Sequence, residues 1–183
     1  MGLGIFDASR ARPRVVPALR LVRPPALGEP TLLLAGGAAA LWYLTRPERG
    51  RERIVQVALS QLGPQDPNKY WREVSPTLVG QPVAWCGGFA LWVLRHAGLT
   101  DLMWEPGAGF LKALPRTTNP KMGDIAYFNE LQHHAIVVKE NGQMMQTVDG
   151  NQGPGEQVKL KDPRPKSDAS MFFSVAPLVG EAA

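Results

Sequence analysis

The feature that most constrains this chain is a change in the period of its apolar residues near residue 123. In RERIVQVALSQLG, from residue 51, the apolar residues Ile54, Val55, Ala58, Leu59 and Leu62 recur at helical spacing. Gly63-Pro64 then stops the pattern. PVAWCGGFALWVLRHAGL reads as a second helix that ends at Gly98, with Phe89, Val93 and Ala97 on one stripe. Residues 106–114 suggest a short helix. Beyond them the period falls to two. GDIAYF (123–128), HHAIVVK (133–139) and QMMQTVD (143–149) read as consecutive strands, with Asn141-Gly142 as a hairpin signal between the last two. MFFSVAPL (171–178) reads as a last strand. Helices first and an antiparallel meander second predict an α+β fold, with the N-terminal helices packed on the sheet.

Residues 51–178 are the expected domain, with 179–183 as a tail. The segment before it has a different character. Residues 1–53 hold nine arginines against four acids, a balance of +5, while the remainder holds eleven Lys or Arg against twelve acids. Within residues 1–30 the prolines at 13, 17, 24, 25 and 30 break any continuous helix, which leaves a basic, proline-rich arm. Residues 31–46 open with an uncharged run, TLLLAGGAAALWYLT, followed by Arg46, Arg49, Arg51 and Arg53. Apolar core, aromatic edge and basic flank are the order of a membrane-associated helix. About 15 residues reach only roughly 22 Å, against a hydrocarbon core of roughly 30 Å, and snorkelling arginines recover part of the gap. A secretory leader or a buried core helix are the other readings of the same run. A basic stretch beside an apolar one points to a membrane surface, not to nucleic acid.

One cysteine excludes an intramolecular disulfide, so the domain must stand on its core. One cysteine and three histidines supply no recognisable metal-ligand set, and no cofactor is implied. The cysteine's setting is what singles it out. Cys86 opens the second helix, where the helix dipole and unpaired N–H groups favour thiolate. Gly87 and Gly88 follow at once and would let another group approach the sulfur; the Cys86 N–H could serve as an oxyanion donor. A thiolate needs a base, and His133 and His134 open a predicted strand. Alternation puts them on opposite faces. His133 shares its face with the small Ala135, which would let the cysteine helix pack close, so His133 is preferred and His134 is the alternative. Asp149 or Asn151, returning on the next strand, would orient the imidazole. His96 is expected as a partner of a helix C-terminus, Asp124 as a strand-start residue, Trp85 as packing, and Tyr70 and Trp71 as core or groove aromatics.

These segments resemble a known family. PVAWCGGFALWVLRHAGL is similar to the nucleophile helix of CHAP and NlpC/P60-type papain-like peptidoglycan hydrolases, a domain common in phage lysins. GDIAYF resembles their Gly-Asp strand, QHHAIVV their histidine strand, and VDGNQ the segment carrying the third polar residue. The resemblance spans roughly residues 51–178 and aligns the family histidine with His133. Gln132 replaces the glycine that precedes it in the family. The resemblance implies a papain-like fold and a thiol-dependent amidase or endopeptidase acting on peptidoglycan. With the apolar segment, it implies a membrane-associated enzyme acting on the cell wall, in a cell or from a virion membrane. The alternatives are a non-enzymatic membrane-associated virion protein of hydrolase-like fold, and an acyltransferase using the same thiol.

Overall fold

A computed structural model describes residues 47–181 apart from 129, 131 and 154. The arm at 1–30 and the apolar segment at 31–46 lie outside the described residues. Among the described residues no helix is long and apolar enough to cross a membrane.

Three helices precede the β-meander. α1 spans Pro47–Leu59, α2 Pro67–Val74 and α3 Cys86–His96. The reading of apolar period passed over α2, which is short and begins at a proline. Its start signal is nonetheless in the sequence. Asp66 caps the helix by accepting from Asn68 N at 3.0 Å, and Pro67 takes the first position, where a missing N–H costs nothing. Ser75, held extended before Pro76, ends it. α3 is buried from Cys86 through Leu94. It lies against α1, α2 and strands of the sheet, and its tip at Cys86 and Gly87 borders a cleft. At 106–114, turns lead into a single 3-10 turn, Phe110–Ala113, in place of the expected α-helix.

The sheet is antiparallel. Its strands are β1 (Gly63–Pro64), β2 (Arg116–Thr117), β3 (Ile125–Phe128), β4 (His133–Asn141), β5 (Met144–Gln152), β6 (Gln157–Leu160), β7 (Arg164–Pro165) and β8 (Met171–Phe173). Their order is β1-β6-β5-β4-β3-β8-β2, with β7 added alongside β5. The α+β class with helices ahead of an antiparallel meander therefore holds. The β4–β5 turn is displaced by one residue from the expected pair. Asn141 pairs with Met144, so Gly142 and Gln143 form the turn. Gly142 alone of the two has positive φ, +56°, as a two-residue turn with glycine first requires. The expected strand at 171–178 stops at Phe173, and a fourth helix, α4, covers Ala176–Val179. Pro177 explains the difference: it has no N–H for a sheet ladder but fits the first turn of a helix.

The two faces of the sheet are unequal. Ile125, Tyr127, Ile136, Val148 and Phe173 join Phe89, Val93 and Leu94 of α3 in the main core. Ala126, Phe128, Ala135, Val137, Met145 and Phe172 form a smaller cluster on the opposite face. The cysteine helix thus packs on the Ile136 face, not on the Ala135 face that small side chains had suggested. The close approach it needs comes from Gly150 instead, where a Cβ would lie 2.9 Å from that of Phe89.

Two of the arginines read as a basic flank are used inside the domain. Arg53 donates to the carbonyl of Ala97 at 3.0 Å. Arg51 is buried and donates to Asp124 at 2.7 Å, to Glu181 at 2.7 Å and to the carbonyl of Met122 at 2.8 Å. Asp124, at the entry to β3, also accepts from the N–H groups of Lys121 and Val175. The cluster ties α1, the start of β3 and the chain beyond α4 into one unit, and it draws Glu181, expected as part of a tail, into the fold. Removing one partner of a buried ion pair strands the other. Arg51→Ala is expected to cost about 3–5 kcal/mol in urea unfolding, whereas Lys121→Ala, at the exposed edge of the same cluster, is expected to cost under about 1 kcal/mol.

Candidate functional site

Cys86 is the first residue of α3. Trp85 precedes it with non-helical backbone and no side-chain cap, so the first N–H groups of the helix have no partner from its own turns. The tip is held by aromatic packing. Tyr70 stacks on Trp85 with ring centroids 5.3 Å apart and meets Phe89 and Trp92 edge-on. Trp85 and Tyr70 are therefore core residues, and burial pushes the Tyr70 hydroxyl's pKa up. His96 closes the far end, stacked on Trp92 with its Nδ1 3.2 Å from the Trp92 carbonyl, as a helix C-terminus favours.

The sulfur lies off the beginning of β4, 3.8 Å from the carbonyl of Gln132. That position lets it meet rings from both faces of the sheet. His134 is on the helix side, opposite Tyr127 in the β3–β4 pairing. Its Nδ1 is 3.8 Å from Sγ and its Nε2 is 3.0 Å from the carbonyl of Gly107. A carbonyl only accepts, so Nε2 carries a proton. Nδ1 then accepts from the thiol when the ring is neutral, and donates to the thiolate when the ring holds both protons. Phe110 stacks on this ring, Tyr127 meets it edge-on, and Trp104 lies beyond.

His133 is on the other face with Ala135 and Asp149. Its Nε2 is 2.9 Å from Asp149 Oδ2. Asp149 is 1% exposed, and Thr147 Oγ1 donates to its other oxygen at 2.5 Å. Burial alone would raise the Asp149 pKa, but hydrogen bonds from His133 and Thr147 and the charges of His133 and Arg164 hold it below the usual value. An ionised Asp149 accepts the Nε2 proton of His133, and the ring nitrogen found at hydrogen-bonding distance from the sulfur is Nδ1 of His134.

The balance of effects on the pair is large. Burial pushes the Cys86 thiol up, yet hydrogen bonding to His133 and then His134, with their charges, brings it from 9.0 down to about 6. Burial pushes His133 down, yet Asp149 and then Cys86 lift it from 6.5 to about 9. Between those limits the stable form is thiolate beside imidazolium.

The structure does not bring Asn151 to either histidine. Asn151 has φ +58°, so the extended period that would have aligned it with Asp149 breaks at that residue, and the β5–β6 register shifts there. Gln152 takes the nearby space instead: its Nε2 lies 3.4 Å from His133 Nε2 and its Oε1 accepts from Lys161. Of the expected residues, the structure joins Cys86, His133, His134 and Asp149. Arg164, Thr147, Gln152 and Gly107 were not anticipated.

An open cleft of about 440 Å³ leads to the sulfur. Trp71, Leu78, Val83, Trp104 and Pro106 form apolar wall; Cys86, Gly87, Gly107, Gln132 and His134 form its reactive end. Gly87 is required at that end, since a Cβ there would lie 2.6 Å from the Trp104 ring and 3.0 Å from His134 Cε1. Among the described residues no group of three or more His, Cys, Asp or Glu side chains is arranged to hold a metal ion. No family model, no curated protein and no solved structure matches this chain.

A thiol with a pKa near 8.5 is only a few per cent ionised at pH 7. Alkylation of Cys86 by iodoacetamide is expected to follow a midpoint near pH 6. In His133→Ala the burial penalty remains while its main counterweight is gone, so the midpoint should rise by more than about one unit. A wild-type midpoint near 8.5 would show that the thiol and imidazole are not an ion pair.

Proposed function

We propose that this chain is a cysteine-dependent hydrolase of papain-like type that cleaves an amide bond in the peptide part of peptidoglycan. The observation that carries the reading is a thiol at a helix tip with His134 Nδ1 3.8 Å from its sulfur, next to His133, whose Nε2 lies 2.9 Å from a buried carboxylate and whose interaction with the thiol lowers the thiol's pKa. Thiolate and imidazolium at neutral pH are the reactive form of a nucleophilic cysteine. The choice of peptidoglycan rests on the resemblance of the helix, the Gly-Asp strand and the histidine strand to CHAP and NlpC/P60-type enzymes. The apolar segment at 31–46 would hold the enzyme at a membrane next to its polymeric substrate, whether in a cell or in a virion.

The chemistry follows from the positions. The Cys86 sulfur attacks the amide carbonyl carbon, and a C–S bond forms as the carbonyl electrons move to oxygen. Open N–H groups at the α3 tip, that of Cys86 among them, face the developing oxyanion. The tetrahedral adduct collapses and the C–N bond breaks. The departing nitrogen takes the proton from His133 Nδ1. Neutral His133 then removes a proton from water, which attacks the thioester and releases the carboxylic acid. Thiolate and imidazolium are restored, and Asp149 holds the ring through the cycle.

The full-length protein in detergent is expected to release soluble fragments from purified peptidoglycan, and mass analysis of their new termini will identify the bond. Cys86→Ala should abolish release, and His133→Ala should lower it at least about a hundredfold. Turnover should be confined between about pH 6, where the thiolate forms, and about pH 9, where His133 loses the proton the leaving amine needs. Full release by Cys86→Ala would sink the reading.

A further inference from the structure

The reaction uses one side of Asp149, and the other side is also occupied. Thr147 and Asp149 are two residues apart on β5 and so point to the same face as His133. β7 sets Arg164 opposite Met145 on the same strand. The single nitrogen Nη2 of Arg164 donates to Thr147 Oγ1 at 2.8 Å and to Asp149 Oδ2 at 3.1 Å. Thr147 in turn donates to Asp149 Oδ1. Oδ2 therefore serves two donors, His133 and Arg164, while Oδ1 serves the hydroxyl and a longer contact, 3.5 Å, from the same Arg164 nitrogen. The guanidinium carbon lies 4.3 Å from the centroid of the Phe128 ring. Phe128 is paired with His133 across β3 and β4, and its ring is 5.9 Å from the imidazole.

We infer that Arg164 is a positioning residue of the thiol–imidazole site, acting through Thr147 and Asp149 to fix the direction in which His133 presents Nδ1 to Cys86. The inference rests on the Cys86–His133 pair being the reacting pair. A carboxylate held at one oxygen only can turn about its last torsion and carry the imidazole with it. Here both oxygens are pinned from behind, by groups on two neighbouring strands, and the planar guanidinium is itself seated on an aromatic face. Charge alone would not select arginine for this place. A cation beside Asp149 competes with His133 for the carboxylate and weakens its hold on the imidazolium proton. The benefit of Arg164 is geometric, and misplacement of a reacting group by about 1 Å can cost on the order of a hundredfold in rate.

The test separates geometry from charge, with Cys86 alkylation against pH as a readout that needs no substrate. Arg164→Met removes cation and clamp together. Thr147→Val removes the hydroxyl link and leaves every charge in place. Both are expected to raise the alkylation midpoint by about one unit, a tenfold loss of thiolate at neutral pH, in protein whose circular dichroism is that of wild type. Arg164→Lys restores the charge without the planar group seated on Phe128 and is expected to restore the midpoint only in part. On peptidoglycan, Arg164→Met and Thr147→Val should lower kcat about tenfold to a hundredfold with KM unchanged. An unmoved midpoint in Thr147→Val, or complete rescue by Arg164→Lys, would overturn the positioning role. Because alkylation is independent of the polymer, failure to cut peptidoglycan would remove the proposed substrate and leave this test intact.

Discussion

The site depends on the immobility of α3. A sulfur can hold a partner at hydrogen-bonding distance only if the backbone carrying it is fixed, and α3 is fixed because it is buried on every side from Cys86 to Leu94. Its N-terminus has no side-chain cap. What locates the tip is the packing of Trp85 and Phe89 around Tyr70, together with the contact of Phe89 on the bare backbone of Gly150. The same packing leaves the first N–H groups open, so the stability of the helix is supplied by its apolar sides and not by its end. A capped helix would have spent on a side-chain oxygen the donors that an oxyanion requires.

Much of this was legible in the sequence because it depends on local signals. The α1 and α3 helices, the meander from β3 to β5, and Cys86 at a helix start follow from apolar period and from glycine and proline punctuation. Asp149 was also within reach, since an unbroken strand from the hairpin turn brings it level with the histidines. The reading failed where a single residue's backbone broke the pattern. Asn151 adopts positive φ, and the alternation that would have paired it with Asp149 ends there. It failed again over the face on which α3 packs. The small side chain of Ala135 suggested room, but the helix lies on the side of Ile125, Ile136 and Val148, in the larger of the two apolar clusters. His133 remains the carboxylate-backed imidazole for a different reason from the one expected: Asp149 is on its face.

Arg164 could not have been found that way. It belongs to a two-residue strand, Arg164–Pro165, preceded by Pro163, in a stretch with no period to read. Its partners are 15 and 17 residues earlier in the chain, and their proximity depends on β7 folding back beside β5. Arg51 is similar. In the sequence it stands among four arginines after an apolar run and reads as a flank. Only the tertiary fold brings Asp124 and Glu181 to it. Charged residues carry no periodic signature of burial, so pattern reading assigns them to the surface by default.

The doubled histidine acquires a meaning from the same geometry. Consecutive strand residues point to opposite faces, so two adjacent imidazoles cannot ordinarily meet one group. Here the sulfur lies beyond the end of the strand, beside the carbonyl of Gln132, where His134 Nδ1 is 3.8 Å away and both rings lower the thiol's pKa. The two rings are then distinguished by what stands behind them. A carboxylate backs His133 and rewards a second proton on the ring; a carbonyl backs His134 and fixes its orientation without adding a charge. The cleft includes His134 in its wall, whereas His133 lies on the opposite face of the sheet with Asp149. The ring backed by the carboxylate and the ring that lines the cleft are thereby different residues, and a change at one can leave the other in place.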